Sequence, residues 1–155
     1  MAINNQIQTG TSVIPLLGVT DASSASAGII GQLISSVVSS GSAVSCSNGT
    51  ARNVTSISVT AGDWNIIGNV FFNGSVVTNP TYRCWISATS ASLPDNSLIS
   101  LFNASLLLTG IDAGINAPFF RTTINSTTTI YLSCQANFSA GTVTACGGIY
   151  ARRIR

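Results

Sequence analysis

An all-β sandwich is the fold class the sequence predicts, and three observations predict it. Lys and Glu, which favour exposed helix, are absent, whereas Thr, Val, Ile and Ser abound. Several stretches alternate apolar and polar residues with the period of two that marks a half-buried strand. Turn-forming clusters punctuate those stretches: "SNGT", "AGD", "FNGS", "NP", "LPDN", "INST" and "SAGT". Many short strands so punctuated point to a sandwich or barrel with Greek-key or jelly-roll connections. At 155 residues the chain has the length of one domain with a short appendage.

Residues 1–27 form the appendage. They are polar and weakly periodic, with one Pro and many small residues, and read as an extended N-terminal arm. Fully extended, such an arm spans roughly 90 Å at about 3.3 Å per residue, enough to reach a neighbouring subunit. Ile7, Val13, Ile14, Leu16 and Leu17 give it apolar groups to bury there. Residues 28–155 carry the domain. In "WNIIGNVFF" one face holds Trp64, Ile66, Val70 and Phe72, with Gly68 between them; "YRCWIS" groups Tyr82, Cys84 and Ile86. "TIYLSCQANF" sets Ile130, Leu132, Cys134, Ala136 and Phe138 opposite Tyr131, Ser133, Gln135 and Asn137. The closing "TVTACGGIYARR" points Val143, Ala145 and Ile149 inward and Thr144, Cys146 and Tyr150 outward. Opposite facing keeps Cys134 and Cys146 apart. Cys46–Cys84 stays open as a pairing, against four small apolar thiols as the alternative.

Composition argues against most chemistry. His and Glu, the usual general acids and bases, are absent, and no serine has a His or Lys to activate it. Asp63 in "AGDW" and Asp95 in "LPDN" read as turn residues bonding nearby backbone amides. No Cys-x-x-Cys suggests zinc and no carboxylate cluster suggests calcium. The expectation is a non-enzyme with no catalytic residue, metal or cofactor. A net charge of +2 is too small for a phosphate-binding surface, so nucleic acid is not an expected partner. The longest apolar stretches, "GIIGQLISSVV" and "LISLFNASLLLTGI", are interrupted and fall short of a spanning helix, and "MAINNQIQTG" lacks the features of a signal peptide. No membrane partner is expected. Six N-x-S/T sequons are a mild excess for a chain this rich in Asn, Ser and Thr, and without a signal peptide they do not argue for glycosylation.

What remains is association. Charged residues make up 6% of the chain, against about 25% in an ordinary soluble protein. So few charges resist self-association poorly, which predicts an obligate oligomer or an assembly component. Against that background the ending "YARRIR" stands out. Arg152, Arg153 and Arg155 are expected to make bidentate pairs with carboxylates or carbonyls of a neighbour, the alternative being a solvated tail that keeps a hydrophobic strand soluble.

"SASAG", "ISSVVSSGSAVS", "NVTSISVTAGDWNIIGNVFFN", "ISATSASLPDNS", "TTTIYLSCQANF" and "GGIYARRIR" together resemble a structural domain of tailed-bacteriophage virions, found in tail-fibre tips and small virion proteins. The resemblance covers roughly residues 23–155, and "SISVTAGDW" and "YARRIR" are its most specific parts. The strand order is also similar to the tumour-necrosis-factor-like jelly roll, which implies a compact homotrimer. A short arm followed by one jelly roll, without shaft or tail-docking module, implies a capsid decoration (cement) protein on the outer surface of the virion. Such a trimer binds the major capsid protein at capsomer junctions and stabilises the mature head. Contacts to capsid or neighbouring subunit then fall to Ile7, Val13, Ile14, Arg152, Arg153 and Arg155. The alternative is a receptor-binding tip or short fibre meeting a host glycan or surface protein, with Trp85 and Tyr150 as exposed aromatics that stack on sugars.

Overall fold

Alternating side chains become strands wherever one face can be buried, and the chain does this twelve times among the residues described. The computed structural model describes residues 6–9, 12–15, 23, 25–104 and 112–155. The strands are β1 (Gln6–Thr9), β2 (Ser12–Pro15), β3 (Leu33–Val38), β4 (Val44–Cys46), β5 (Arg52–Val59) and β6 (Gly62–Ser75). They continue with β7 (Thr81–Ser87), β8 (Ser100–Asn103), β9 (Ala113–Asn116), β10 (Phe120–Ile124), β11 (Thr128–Asn137) and β12 (Thr142–Arg153). Among the described residues helix is confined to two single 3-10 turns, Ser40–Ser42 and Asn96–Leu98. At the second, Asp95 Oδ1 accepts the Ser97 N–H at 2.9 Å, the turn role expected of that aspartate.

Two sheets form the domain. One runs β10-β6-β12-β3, with β4 also paired to β12 and β9 to β6; the other runs β5-β11-β7-β8. Every pairing is antiparallel. From β3 onward the chain passes repeatedly from one sheet to the other, and this wrapping makes the sandwich a jelly roll. Between the sheets lies one core, built by the residues whose alternation announced it. Trp64, Ile66, Val70 and Phe72 of β6 face Tyr82 and Ile86 of β7 and Ile130 and Leu132 of β11, all buried. Phe72 and Tyr82 stack with centroids 4.5 Å apart and planes 3° from parallel. The hydroxyls of Ser36 and Thr55, on β3 and β5, bond across the gap at 2.6 Å. Cys134 is in the core and Cys146 is half-buried, as their positions in the alternation require.

The arm differs from a fully extended strand. β1 and β2 pair as an antiparallel two-stranded sheet, Ile7 opposite Ile14 and Gln8 opposite Val13.

Trp85 departs from expectation too. Its neighbours Cys84 and Ile86 face the core, so period two sends it to the outer face of the four-stranded sheet, yet it is fully buried. The register places Asn53 and Trp85 on either side of Ser133. Asn53 donates to Ser90 Oγ at 2.7 Å and accepts from the Ala91 N–H and the Ser133 hydroxyl, each at 2.8 Å. These bonds tie the loop after β7 onto that outer face, where an exposed strand position was expected. Trp85 is therefore no sugar-stacking surface.

Candidate interaction surface

The inner face of the six-stranded sheet closes the core; among the described residues nothing is tied across its outer face. Registers fix which residues share it. Ile67 lies opposite Tyr150 and Tyr150 opposite Ser35; Asn69 lies opposite Gly148 and Gly148 opposite Val37; Phe71 lies opposite Cys146. Nothing in these three rows carries a charge. Ile67 is 57% exposed and Val37 62% exposed, and Phe71 and Leu33 add further apolar area. Toward β9 the face dips into a groove of about 360 Å³ lined by Ile67, Asn69, Asn116, Phe119 and Tyr150 among others. An apolar, uncharged sheet face of this breadth marks a contact surface more often than a bare solvent boundary.

Charge gathers at one end of the face, beside the row Arg121, Asn65, Arg152 and Leu33. Asp63, at the start of β6, is only 3% exposed, and two arginines share its carboxylate. Arg121 of β10 donates from Nε to Oδ1 at 3.1 Å and from Nη2 to Oδ2 at 2.7 Å. Arg155 donates from Nε and Nη2 to Oδ2 at 2.9 and 2.8 Å. The Arg121 guanidinium, and after it that of Arg155, lowers the Asp63 pKa to about 2. Asp63 in turn raises the pKa of Arg121. Backbone bonds carry the ladder beyond β12: Ile154 N–H donates to Asp63 O at 2.9 Å and Asp63 N–H to Arg155 O at 3.2 Å. Asp63 is thus the acceptor of a C-terminal latch, in place of the local turn role its sequence suggested. Two guanidiniums on one carboxylate leave a positive charge in excess. Arg121 and Arg155 keep 52% and 73% of their side chains exposed, and Arg152 stands exposed nearby.

Arg153 points the other way. It is 5% exposed and lies over the Trp64 ring, 4.4 Å from the centroid. Its Nε donates to Gln32 Oε1 at 3.1 Å, Nη1 to Ala61 O at 2.7 Å and Nη2 to Thr60 Oγ1 at 2.6 Å. Gly62, at φ +146°, leaves the room: a Cβ there would run into Arg153 Nη1. Arg153, expected among the contacts to a neighbour, therefore serves the fold by closing the end of the core. Of the other expected contact residues, Arg152 is exposed and Arg155 is shared between Asp63 and solvent. Ile7, Val13 and Ile14 sit on β1 and β2, but their side chains lie outside the described residues.

The sequence reading missed the inward role of Arg153 and missed Arg121 altogether. For Arg153 a signal existed, because the inward parity of Val143, Ala145 and Ile149 reaches residue 153 when continued. For Arg121 none did, since its bond to Asp63 spans 58 residues. The cysteines also meet differently: Cys46 Sγ lies 3.9 Å from Cys134 Sγ, while the Cys84 thiol is directed to Ile115 O at 3.6 Å.

No protein-family model matches the chain, and no curated protein matches it. Among solved structures it is similar to the infectious bursal disease virus VP2 subviral particle, with TM-score 0.47 and 14% identity over 91% of this chain and 38% of that one. It is also similar to the structure of the Gx strain of infectious bursal disease virus, with TM-score 0.46 and 14% identity over 89% of this chain and 36% of that one. The chain spans little more than a third of the length of either.

Proposed function

We propose that this chain is a virion structural protein of the capsid-decoration type, acting by binding alone. In this reading it assembles as a homotrimer on the outer surface of a tailed-phage head, binds the major capsid protein where capsomers meet, and stabilises the mature shell. The observation that carries the reading is the open, uncharged, apolar face of the six-stranded sheet, bordered at one end by Arg121, Arg152 and Arg155. The apolar rows suit burial between copies, while the excess positive charge suits carboxylates of the shell. The hairpin arm, through Ile7, Val13 and Ile14, adds strands or apolar contacts to the shell. Three arms per trimer multiply weak single contacts into firm attachment.

A receptor-binding tip is the second reading, and one observation favours it. The groove beside Tyr150 and Phe119 carries the Asn69 and Asn116 side chains, an aromatic and amide lining that suits a sugar.

Immunogold labelling of intact virions with an antibody against residues 28–155 separates the two. Decoration predicts label over the whole head, and heads lacking the protein that burst at lower temperature; label only on the tail or on sparse projections overturns it. On purified shells, R152A should lower occupancy while leaving the thermal stability of the free protein unchanged. Equal occupancy of R152A and wild type removes Arg152 from the contact.

A further inference from the structure

Three of the four cysteines converge inside the sandwich. Cys134, in the middle of β11, is fully buried, and Cys84 is its partner across the β11–β7 ladder. Cys46 closes β4 on the opposite sheet and is also buried. Each thiol has a direction. Cys84 is turned to Ile115 O, whereas Cys46 and Cys134 face each other, Sγ to Sγ at 3.9 Å, in a weak S–H···S hydrogen bond that spans 88 residues. Cys146 lies on the other side of its sheet, on the open face. Of all the thiols, then, one pair is aligned, and it bridges the two sheets.

The geometry points to a cross-sandwich disulfide between Cys46 and Cys134, formed by exchange with a small disulfide of the oxidised-glutathione class. A disulfide needs its sulfurs about 2.05 Å apart, so the pair must close by less than about 2 Å. β4 can supply that movement. It is three residues long, lies off the main strand path and, among the described residues, pairs only with Val143–Ala145 of β12. A short peripheral strand opens locally without unfolding the sheet, and that opening also admits the oxidant. Cys46 is the attacking thiol because it ends the strand that opens, whereas Cys134 is fully buried in the middle of β11; the hydrogen bond with Cys134 also lowers the Cys46 pKa against the opposing effect of burial. The hydrogen bond to Cys46, with burial, raises that of Cys134, which suits the second, resolving position.

The step balances. The Cys46 thiolate attacks one sulfur of the small disulfide, breaks its S–S bond and expels one thiolate, leaving a mixed disulfide on Cys46. Cys134 then gives up its proton and attacks Cys46 Sγ, expelling the second thiolate. Two protein thiols become one disulfide; two electrons and two protons leave on two molecules of small thiol. A chain that folds in a reducing cell and later meets an oxidising medium passes in this way from the free to the linked form. The link closes a long loop and ties the two sheets together, which raises thermal stability.

The full-length protein is incubated folded with oxidised glutathione, quenched in acid, unfolded and alkylated, then mapped by mass spectrometry. Expected is a loss of two alkylatable thiols, a crosslinked peptide pair containing Cys46 and Cys134, and a Tm higher by roughly 5–15 °C that dithiothreitol reverses. C46S and C134S abolish the crosslink, and C146S leaves it intact. Four alkylatable thiols after oxidation, a crosslink through Cys84, or a glutathione adduct on Cys46 that never resolves would each overturn the assignment. The wild-type peptide map decides the matter even if a serine variant fails to fold.

Discussion

Arg153 is a charged side chain handled as a core residue. Burying a guanidinium is costly unless its donors are met, and here Gln32, Ala61 and Thr60 meet Nε, Nη1 and Nη2 while the Trp64 ring takes the flat face. Removing it strips those acceptors of a partner in a place that excludes water. R153A should therefore destabilise the protein by about 2–4 kcal/mol in urea unfolding, whereas R152A, exposed on the other side of the same strand, should change stability by less than about 0.5 kcal/mol. Equal effects of the two substitutions would show that the parity of β12 does not divide them.

Asp63 adds a pH dependence with a definite sign. Its folded pKa of about 2 lies below the ordinary 3.8, so the charged form is favoured by folding. Its contribution to stability is complete above roughly pH 5 and is lost as pH falls toward 2. The Tm of the wild type should exceed that of D63N at pH 6, and the gap should close on approaching pH 2; a gap independent of pH would contradict the ion pairs. Local sequence could not announce this cluster, because each arginine that binds Asp63 lies 58 or more residues away. Trp85 was opaque for a related reason. Its place on the outward side of β7 was legible, but the loop that Asn53 draws over that side was not.

At the scale of elements, β6 and β12 are the spine of the jelly roll. They run 14 and 12 residues and pair without a break from Thr142–Ser75 to Arg153–Trp64. Their alternation, and that of β11, was plain in the sequence because both faces of each strand have fixed fates. β1 and β2 were not legible as a hairpin, since polar and small residues in the arm give no period to read. Within the spine, Gly147 is indispensable. It sits opposite Val70 at φ +151°, and a Cβ there would collide with the backbone carbonyl of Asn69. No rotamer can relieve a clash with the neighbouring strand's backbone. G147A should thus disrupt the β6–β12 ladder, seen as a fall in Tm of more than 10 °C or as insoluble protein. A soluble G147A with wild-type Tm would mean that the two strands can separate at that point at little cost.

The whole molecule presents two unlike sheet faces. Loop 88–95 is tied across the outer side of the four-stranded sheet, whereas among the described residues the outer side of the six-stranded sheet is left bare, with Ile67, Phe71 and Val37 exposed. Ten ionisable Arg and Asp residues in 155 give little repulsion between copies, so the bare face is the natural place for association to begin. Placing a carboxylate in its centre tests this without touching the core, because Ile67 and Phe71 point away from it. I67D and F71D should keep the wild-type circular dichroism spectrum and melt within a few degrees of it. In light scattering after size exclusion the proposed trimer should give way to monomer in each, since an unpaired charge buried at an interface costs several kcal/mol per copy. If both variants remain trimeric, the copies meet through another surface and the bare face is left for the shell. If the wild type is itself monomeric at micromolar concentration, assembly on the shell becomes the step that gathers the copies, and the same substitutions should then appear as lost occupancy.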